Sequence, residues 1–387
     1  MQTSADRLDA FPAPPPRGTP ATAPRRPRLV RGAAGAPTLI LGAGPLACRV
    51  ARAMVERPAT RYRLIGMLSE TEDPPDADPP APILGTLSSL PAVAGEHRLA
   101  RIVVALEERR GRLPIRVLLA LRACGVAVEE GSAVYERLTG KLAIESLAPS
   151  ALVFTPGFRR TRCGAAVARG LSFSVAAAGL VVLAPLLAAL ALLIRLDSRG
   201  SALFVQERVG RDGRRFRLIK FRTMHRASCP TSEWAKDNGD RITRAGRWLR
   251  RFRLDELPQF LNVLRGDMNL VGPRPHPASN FELFDRAVPY YWLRASVRPG
   301  LTGWAQVRLG YANGLDEEIE KMRYDLYYIK HRSLVLDLRI LLDTVQVVLF
   351  GRGEGVAGPG VQGDATQTAG AGYRNTFEAV RQAALQR

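Results

Sequence analysis

LSFSVAAAGLVVLAPLLAALALLI, residues 171–194, runs for 24 positions without a charged side chain. At about 1.5 Å per residue, a straight helix of that length would cross a ~30 Å hydrocarbon core. Two features argue against a plain crossing. Pro185 lies inside the run, where it removes a backbone hydrogen bond and kinks a helix. Arginines flank both ends: Arg159, Arg160, Arg162 and Arg169 before it, Arg195, Arg199 and Arg208 after it. Positive charge marks the cytoplasmic side of a membrane segment. A re-entrant helix–break–helix over 169–195, with Pro185 at the break and both ends on one side, satisfies that pattern. A full span and a buried helix of a soluble domain are the alternatives.

The remaining composition narrows the class. The chain has 387 residues, with 56 Lys+Arg against 36 Asp+Glu, a net charge of +20. That length suggests about two domains, and 46% apolar residues exclude a wholly disordered chain. The charge calls for an anionic partner: nucleic acid, acidic lipid or a phosphorylated small molecule. Cys48, Cys124, Cys163 and Cys229 stand far apart without CxxC spacing, which argues against a zinc site or a disulfide scaffold. The four histidines show no metal spacing. Residues 1–35, rich in Pro, Ala and Arg, read as a disordered basic arm, and the glycine-rich 352–387 as a flexible tail.

Residues 36–150 alternate short apolar runs with helix-compatible stretches, which implies an α/β domain with a parallel sheet. Its first turn, Gly42-Ala43-Gly44-Pro45-Leu46-Ala47, fits the strand–GxGxxG/A–helix fingerprint that cradles a pyrophosphate. The acid that should hold a ribose hydroxyl falls at Ser69 or Glu70, a loose match. A nucleotide-binding oxidoreductase is the function this motif offers; a Rossmann-like turn that binds no dinucleotide is the bland reading, and the favoured one.

The chemistry gathers in the second half, in DRITRAGRWLRRFRLDELPQFLNVLRGDMNLVGPRP, residues 240–275. Asp255 and Glu256 stand just before an apolar helical pattern, with Pro258 in its first turn. A helix N-terminus favours anions, and Arg247, Arg250, Arg251 and Arg253 lie just upstream. An acid so placed is expected to stay ionised. Either Asp255 attacks phosphorus while Glu256 holds a divalent cation, with oxygen ligands and substrate phosphates suiting Mg²⁺, or Asp255 caps the helix and Glu256 pairs with an arginine. Spacing alone leaves the two even. Lys220 and Arg222 offer two cations for a diphosphate. The turn Gly272-Pro273-Arg274-Pro275 fixes Arg274 for bidentate phosphate contact; a solvated basic surface is the alternative for each.

These words, in this order, resemble one family. Residues ~169–351 are similar to the bacterial sugar transferases, monotopic phosphoglycosyl transferases that act on polyprenyl phosphate. The resemblance rests on QERVG at 206–210, KFRTM at 220–224, TRAGRWLR at 243–250 and LDELPQFLNVLRGDM at 254–268. It continues through VGPRP at 271–275, RPGLTGWAQV at 298–307 and YDLYYI at 324–329. LDLRILLDTVQVVLFGRG at 336–353 resembles the exosortase-linked exopolysaccharide branch.

The resemblance implies transfer of sugar-1-phosphate from a UDP-sugar to polyprenyl (undecaprenyl) phosphate with release of UMP. Asp255 would be the nucleophile and Glu256, with Asp255, the Mg²⁺ site. Arg250, Lys220 and Arg274 would contact phosphate and nucleotide beside Pro273. It also implies a fold in which a Rossmann-like domain (36–150) and a linker (151–168) precede the re-entrant helix (169–195) and a mainly helical catalytic domain (196–351). The bacterial inner membrane is the implied location, with that domain on the cytosolic face. Larger members usually carry transmembrane helices ahead of the Rossmann-like domain; this sequence shows none, so a shortened version or one with a divergent start is expected. Two positions depart from the family pattern: Ala184 precedes Pro185 where Ser is usual, and Ser172 stands where an acid is usual.

The amphipathic stretch 333–350 is expected either on the membrane interface or as a core helix. Nucleic-acid binding lacks a recognisable module, and anionic membrane lipid accounts for the charge more simply. A non-enzymatic membrane scaffold is the remaining rival. The sequence leaves open the sugar, the pathway and whether the chain forms a homo-oligomer.

Overall fold

The computed structural model describes residues 35–350 except 58–60, 72–78, 109–110, 226–240, 310–314 and, apart from Leu152, Phe154, Gly157 and Phe158, residues 145–160. Residues 1–34 of the basic arm, the glycine-rich tail, residues 151, 153, 155, 156, 159 and 160 of the linker 151–168, and Cys229 therefore lie outside the described residues.

The first half is a five-stranded, fully parallel sheet in the order β3-β2-β1-β4-β5. The strands are Ala36–Leu41, Tyr62–Ser69, Ile83–Thr86, Arg101–Val104 and Ala127–Glu130, numbered β1 to β5. Helices α1 (Pro45–Val55), α2 (Leu90–His97), α3 (Ile115–Ala123) and α4 (Gly131–Thr139) connect and flank them. Ile40, Met67 and Val103 face Val50, Met54, Val134 and Leu138, while Leu39, Leu68 and Ile102 face Leu90, Val93 and Leu118. Both faces of the sheet are thus covered, which explains why its strands read as continuous apolar runs rather than alternating ones. Helices α2 and α4 were not legible: α2 carries Pro91 and Gly95, and α4 opens on Gly131.

Chain direction then changes. Helix α5, Arg162–Asp197, holds the whole apolar run in 36 residues. Thr161 caps it, its side chain accepting from the Gly164 N–H at 3.1 Å. Here a sequence expectation is corrected: the helix is continuous through Pro185, with no non-helical break between two helices. One proline removes only its own bond to the Val181 carbonyl, and the turns on either side hold the geometry. Among the described residues α5 is the one helix long and apolar enough to cross a membrane. Its middle stands bare, with Val181 76% and Val182 74% exposed.

Both ends of α5 are fastened to the same body. Near its start Arg169 donates to the carbonyls of Val263 (2.7 Å), Met268 (3.1 Å) and Leu264 (3.2 Å). The Ser172 hydroxyl accepts from the Leu270 N–H, so the position where the family has an acid serves here as a buried backbone contact. Near its end Leu190 and Ile194 pack with Phe221 and Leu249.

That body begins with the antiparallel pair β6 (Leu203–Val209) and β7 (Arg215–Phe221). It continues through α6 (Arg244–Arg251), a 3-10 segment (Leu254–Gln259), α7 (Phe260–Arg265), β8 (Asn269–Val271), α8 (Ala278–Ala287) and a second 3-10 segment (Tyr291–Ser296). The parallel partner of β8 is β9 (Gly300–Thr302), and α9 (Trp304–Arg308), α10 (Leu315–His331) and α11 (Leu334–Phe350) complete it. Leu142 and Ile144, just past α4, belong to its core beside Trp304, Tyr328 and Ile340. Buried Glu136 accepts from Lys330 Nζ at 2.7 Å, Lys141 pairs with Glu320, and the Trp304 indole donates to the Gly140 carbonyl at 2.9 Å.

Helix α11 shows both faces that the sequence allowed. Ile340 and Asp337 are buried, Asp337 accepting from the Tyr328 hydroxyl at 2.9 Å, while Val335, Leu342 and Val345 stand exposed.

Candidate active site

Four pieces converge: the end of β7, helix α6, the 3-10 segment 254–259, and the turn after β8. Their local chemistry fixes them. Thr243 caps α6 by accepting from the Gly246 N–H, and Asp197, the last residue of α5, accepts from the Ala245 N–H at 3.1 Å. Gly246 has no substitute. A Cβ there would lie 2.2 Å from the Thr223 carbonyl oxygen, so only glycine lets α6 lie directly on the strand end. Asn262, fully buried, ties β7 to α7 by accepting from the Ile219 N–H and donating to the Arg217 carbonyl.

Asp255 and Glu256 differ from their sequence expectation in setting. They sit inside a 3-10 segment rather than at the N-terminus of an α-helix, and α7 proper begins only at Phe260. Arg253 turns the chain into that segment with a left-handed backbone, φ 54°, a conformation that costs a non-glycine residue about 1 kcal/mol. Both carboxylates are buried, at 8% and 6% exposure.

Cations surround the pair. Arg274 donates to Glu256 Oε1 at 2.8 Å, and Arg250 is held by its Nε–H donating to the Thr223 hydroxyl at 3.0 Å. Burial, then the Glu256 charge, pushes the Asp255 carboxyl up to about 6 against the opposing pull of Lys220, Arg274 and Arg250. The expectation that Asp255 stays ionised by its helix end is corrected in degree: desolvation outweighs the cations, yet at neutral pH the carboxylate is still the major form. Glu256 moves the other way, held below its ordinary range by Arg274 despite its burial. Lys220 is brought down to about 8, chiefly by burial and the Arg208 charge, with Asp255 opposing.

Of the sequence-derived residues, the structure gathers Lys220, Arg250, Asp255, Glu256 and Arg274 into one cluster, with Pro273 buried in the turn behind Arg274. Arg222 is not among them. Its guanidinium donates to the carbonyls of Arg199 (3.0 Å), Ser198 (2.6 Å) and Ile194, and to the Ser198 hydroxyl, so it caps the C-terminal end of α5. Its expected place on the diphosphate is therefore replaced by a structural one: β7 ends at Phe221, and past it the backbone no longer alternates in step with Lys220.

Pro185, exposed in mid-helix, lies outside the cluster. His276, one of the four histidines without metal spacing, lies 3.4 Å from Glu318 and is held far below the ordinary histidine range, first by burial and then by Arg294. Arg294, which pairs with Glu318 (3.1 Å) and Asp325 (2.8 Å), also donates to the Arg274 carbonyl at 3.1 Å and so supports the turn that carries Arg274. Sequence gave no sign of this, because Arg294 stands 20 residues beyond Arg274 in an unremarkable stretch.

A divalent cation fits the pair. Two adjacent buried carboxylates repel, as the rise at Asp255 records, and Mg²⁺ takes one or two protein carboxylates with water and substrate phosphate as its remaining ligands. Among the described residues no group of three or more His, Cys, Asp or Glu gathers as a self-sufficient metal site. A buried carboxylate ringed by fixed cations can attack a phosphorus whose oxygens those cations hold.

The family model of the bacterial sugar transferases matches residues 164–351. A UDP-N-acetylgalactosamine-undecaprenyl-phosphate N-acetylgalactosaminephosphotransferase of Aeromonas hydrophila is 42% identical over 228 residues, 57% of this chain and 52% of that protein. A UDP-glucose:undecaprenyl-phosphate glucose-1-phosphate transferase of Caulobacter vibrioides is 46% identical over 211 residues, 52% of this chain and 78% of that protein. An undecaprenyl-phosphate glucose phosphotransferase of Komagataeibacter xylinus is 32% identical over 321 residues, 81% of this chain and 59% of its own length, a match long enough to reach into the parallel-sheet domain. The chain spans little more than half the length of the first and third of these relatives. With Lys220, Arg250, Arg274 and the Asp255–Glu256 pair folded into one cluster inside the matched region, the chain belongs to the bacterial sugar transferases and is a transferase enzyme.

Proposed function

We propose that the protein transfers a sugar-1-phosphate from a UDP-sugar to polyprenyl phosphate, releasing UMP. The observation that carries the proposal is the buried Asp255 carboxylate beside Lys220, Arg250 and Arg274. In the first half-reaction an Asp255 carboxylate oxygen attacks the sugar-bearing phosphorus of the UDP-sugar. The bond from that phosphorus to the bridging oxygen breaks, and UMP leaves with the electron pair. In the second, a phosphate oxygen of the polyprenyl phosphate attacks the same phosphorus, the Asp255–phosphorus bond breaks, and the carboxylate is restored.

Lys220, Arg250 and Arg274 hold the phosphate oxygens and balance the charge that develops on them. Glu256, fixed by Arg274, and Asp255 would hold a Mg²⁺ ion, which would neutralise the charge that develops on the phosphate oxygens as UMP leaves. The cation fork of Arg274 reaches both Glu256 and solvent, which suits it to bridge protein and nucleotide.

Both ends of α5 are pinned to one body by Arg169 and Arg222. This supports a helix that dips into one leaflet of the bacterial inner membrane with both ends cytosolic, at the depth where polyprenyl phosphate presents its phosphate. Starting an exopolysaccharide or related glycan is the step such a product would serve. Incubating the detergent-solubilised full chain with labelled UDP-sugars, Mg²⁺ and polyprenyl phosphate tests the proposal. Acceptor-dependent UMP release with a labelled lipid product is expected; release of neither overturns it.

A further inference from the structure

In the antiparallel pair β6–β7, Phe204 stands directly opposite Lys220, and opposed residues point to the same face of a sheet. That face is the reactive one, since Lys220 feels the Asp255 charge. The Phe204 ring lies 5.2 Å from the Lys220 ammonium and is 41% exposed. A large aromatic left this open beside a buried cation is unusual in a solvent-facing strand. Nearby in the chain, the last turns of α5 leave Leu193 and Leu196 42% and 77% exposed. Only Ser198 to Ala202 separate the helix from the strand.

The chemistry of this edge is amphiphilic. Fixed cations stand on one side, for a phosphate, and the bare Phe204 ring lies directly beside Lys220. A UDP-sugar brings no hydrocarbon chain to this edge. The acceptor in the proposed reaction is an anionic head on a hydrocarbon chain, and it matches both parts. We infer that Phe204 is a binding residue for the acceptor, covering the first isoprene units of the polyprenyl phosphate while its phosphate lies against Lys220.

This rests on the proposed two-step transfer, and the two half-reactions separate the claims. Phe204→Ala and Phe204→Leu are made in the full-length chain in detergent. UMP released in the first turnover with UDP-sugar alone reports the first half; the KM for undecaprenyl phosphate at saturating UDP-sugar reports the second. Truncation to Ala is expected to raise the acceptor KM about tenfold, the scale of losing part of a buried phenyl contact, and Leu is expected to restore most of it. The loss should be confined to the second half-reaction. An unchanged acceptor KM overturns the inference. So does an equal loss in both halves, which would make Phe204 only a support for Lys220. A fall in flotation with phosphatidylglycerol vesicles that accounts for the whole change also overturns it, since the ring would then merely rest in the bilayer. Absence of any UMP burst from the wild-type chain overturns the two-step transfer itself and this inference with it.

Discussion

The glycine turn at Gly42–Gly44 and the acid pair at Asp255–Glu256 both stand just ahead of a helix, and both read from sequence as places for a phosphate. Folding gives them opposite surroundings. Around the acid pair the chain assembles Lys220, Arg250 and Arg274. Around the glycine turn it assembles carboxylates: the Glu107 side chain comes within 2.9 Å of where a Gly44 Cβ would stand, and Glu70 accepts from the Glu107 N–H and pairs with Arg112. Gly42 itself takes φ +117° and abuts the Ala105 carbonyl, so its glycine is accounted for by backbone packing against β4. A motif specifies a backbone shape; the charges brought in from distant residues decide whether an anion is welcome there.

The largest effect should come at the acid pair. Asp255→Asn keeps the size of the side chain but removes the anion that attacks phosphorus, so turnover should fall by about four orders of magnitude or more. No phosphosugar adduct should appear by intact-protein mass spectrometry after rapid quenching. Stability should move the other way. The carboxyl is raised to about 6 in the fold, so the folded protein binds the proton more tightly than the unfolded chain, and this group's contribution falls as pH rises from about 4 through 6. At neutral pH the neutral Asn escapes that penalty and should stabilise the Mg²⁺-free protein by on the order of 2 kcal/mol. A variant that is destabilised, or that still forms the adduct, would make Asp255 a structural acid.

The rate itself should follow the same two groups. Attack needs the Asp255 carboxylate, so adduct formation should rise as pH climbs through about 6. Phosphate holding needs the Lys220 ammonium, so the rate should fall again above about 8. A stopped-flow or quench series of first-turnover UMP release from pH 5 to 9 measures both limbs. A flat profile across that range would mean that chemistry is not what limits the first turnover.

Legibility differed between regions for physical reasons. The parallel sheet was readable because strands buried on both faces are continuous apolar runs. Helix α5 was readable as apolar, but its continuity was not, because a proline's cost depends on how well the neighbouring turns are held. Lys220, Arg250, Asp255 and Arg274 were readable as residues of interest and do meet. Arg222 and Arg169 show what spacing cannot tell: each looks like a free cation in the sequence, and each spends its guanidinium on helix-end carbonyls. Arg294 and Glu318 were invisible, because a buried ion network is defined only by three-dimensional meeting.

Arg274 offers a smaller and sharper test. Replacing it with Met leaves Glu256 buried with its 2.8 Å partner gone, and an unsatisfied buried charge costs about 2 kcal/mol. Thermal unfolding should shift down by about 5 °C for a domain of this size. Adding Glu256→Gln to Arg274→Met should recover most of that loss while activity stays low. If the double variant is no more stable than Arg274→Met alone, the pair contributes packing and not charge balance.

The smallest effect should come at the glycine turn. Gly44 has an ordinary backbone, and an added methyl would meet only the movable end of Glu107. Gly44→Ala should therefore leave the melting temperature unchanged and the transferase turnover within about twofold of wild type, where the same methyl in a working pyrophosphate cradle would abolish binding. Titrating the full chain with NADH in a calorimeter should give no saturable heat at micromolar concentrations, because a diphosphate approaching the α1 N-terminus meets the Glu107 and Glu70 carboxylates before it meets the backbone N–H groups. Glu107→Gln removes one of those charges without touching the turn. If the repulsion is what closes the site, that variant should be the first to show weak heat. A clear stoichiometric isotherm from the wild-type chain would erase the contrast between the two turns and make the parallel-sheet domain a nucleotide sensor.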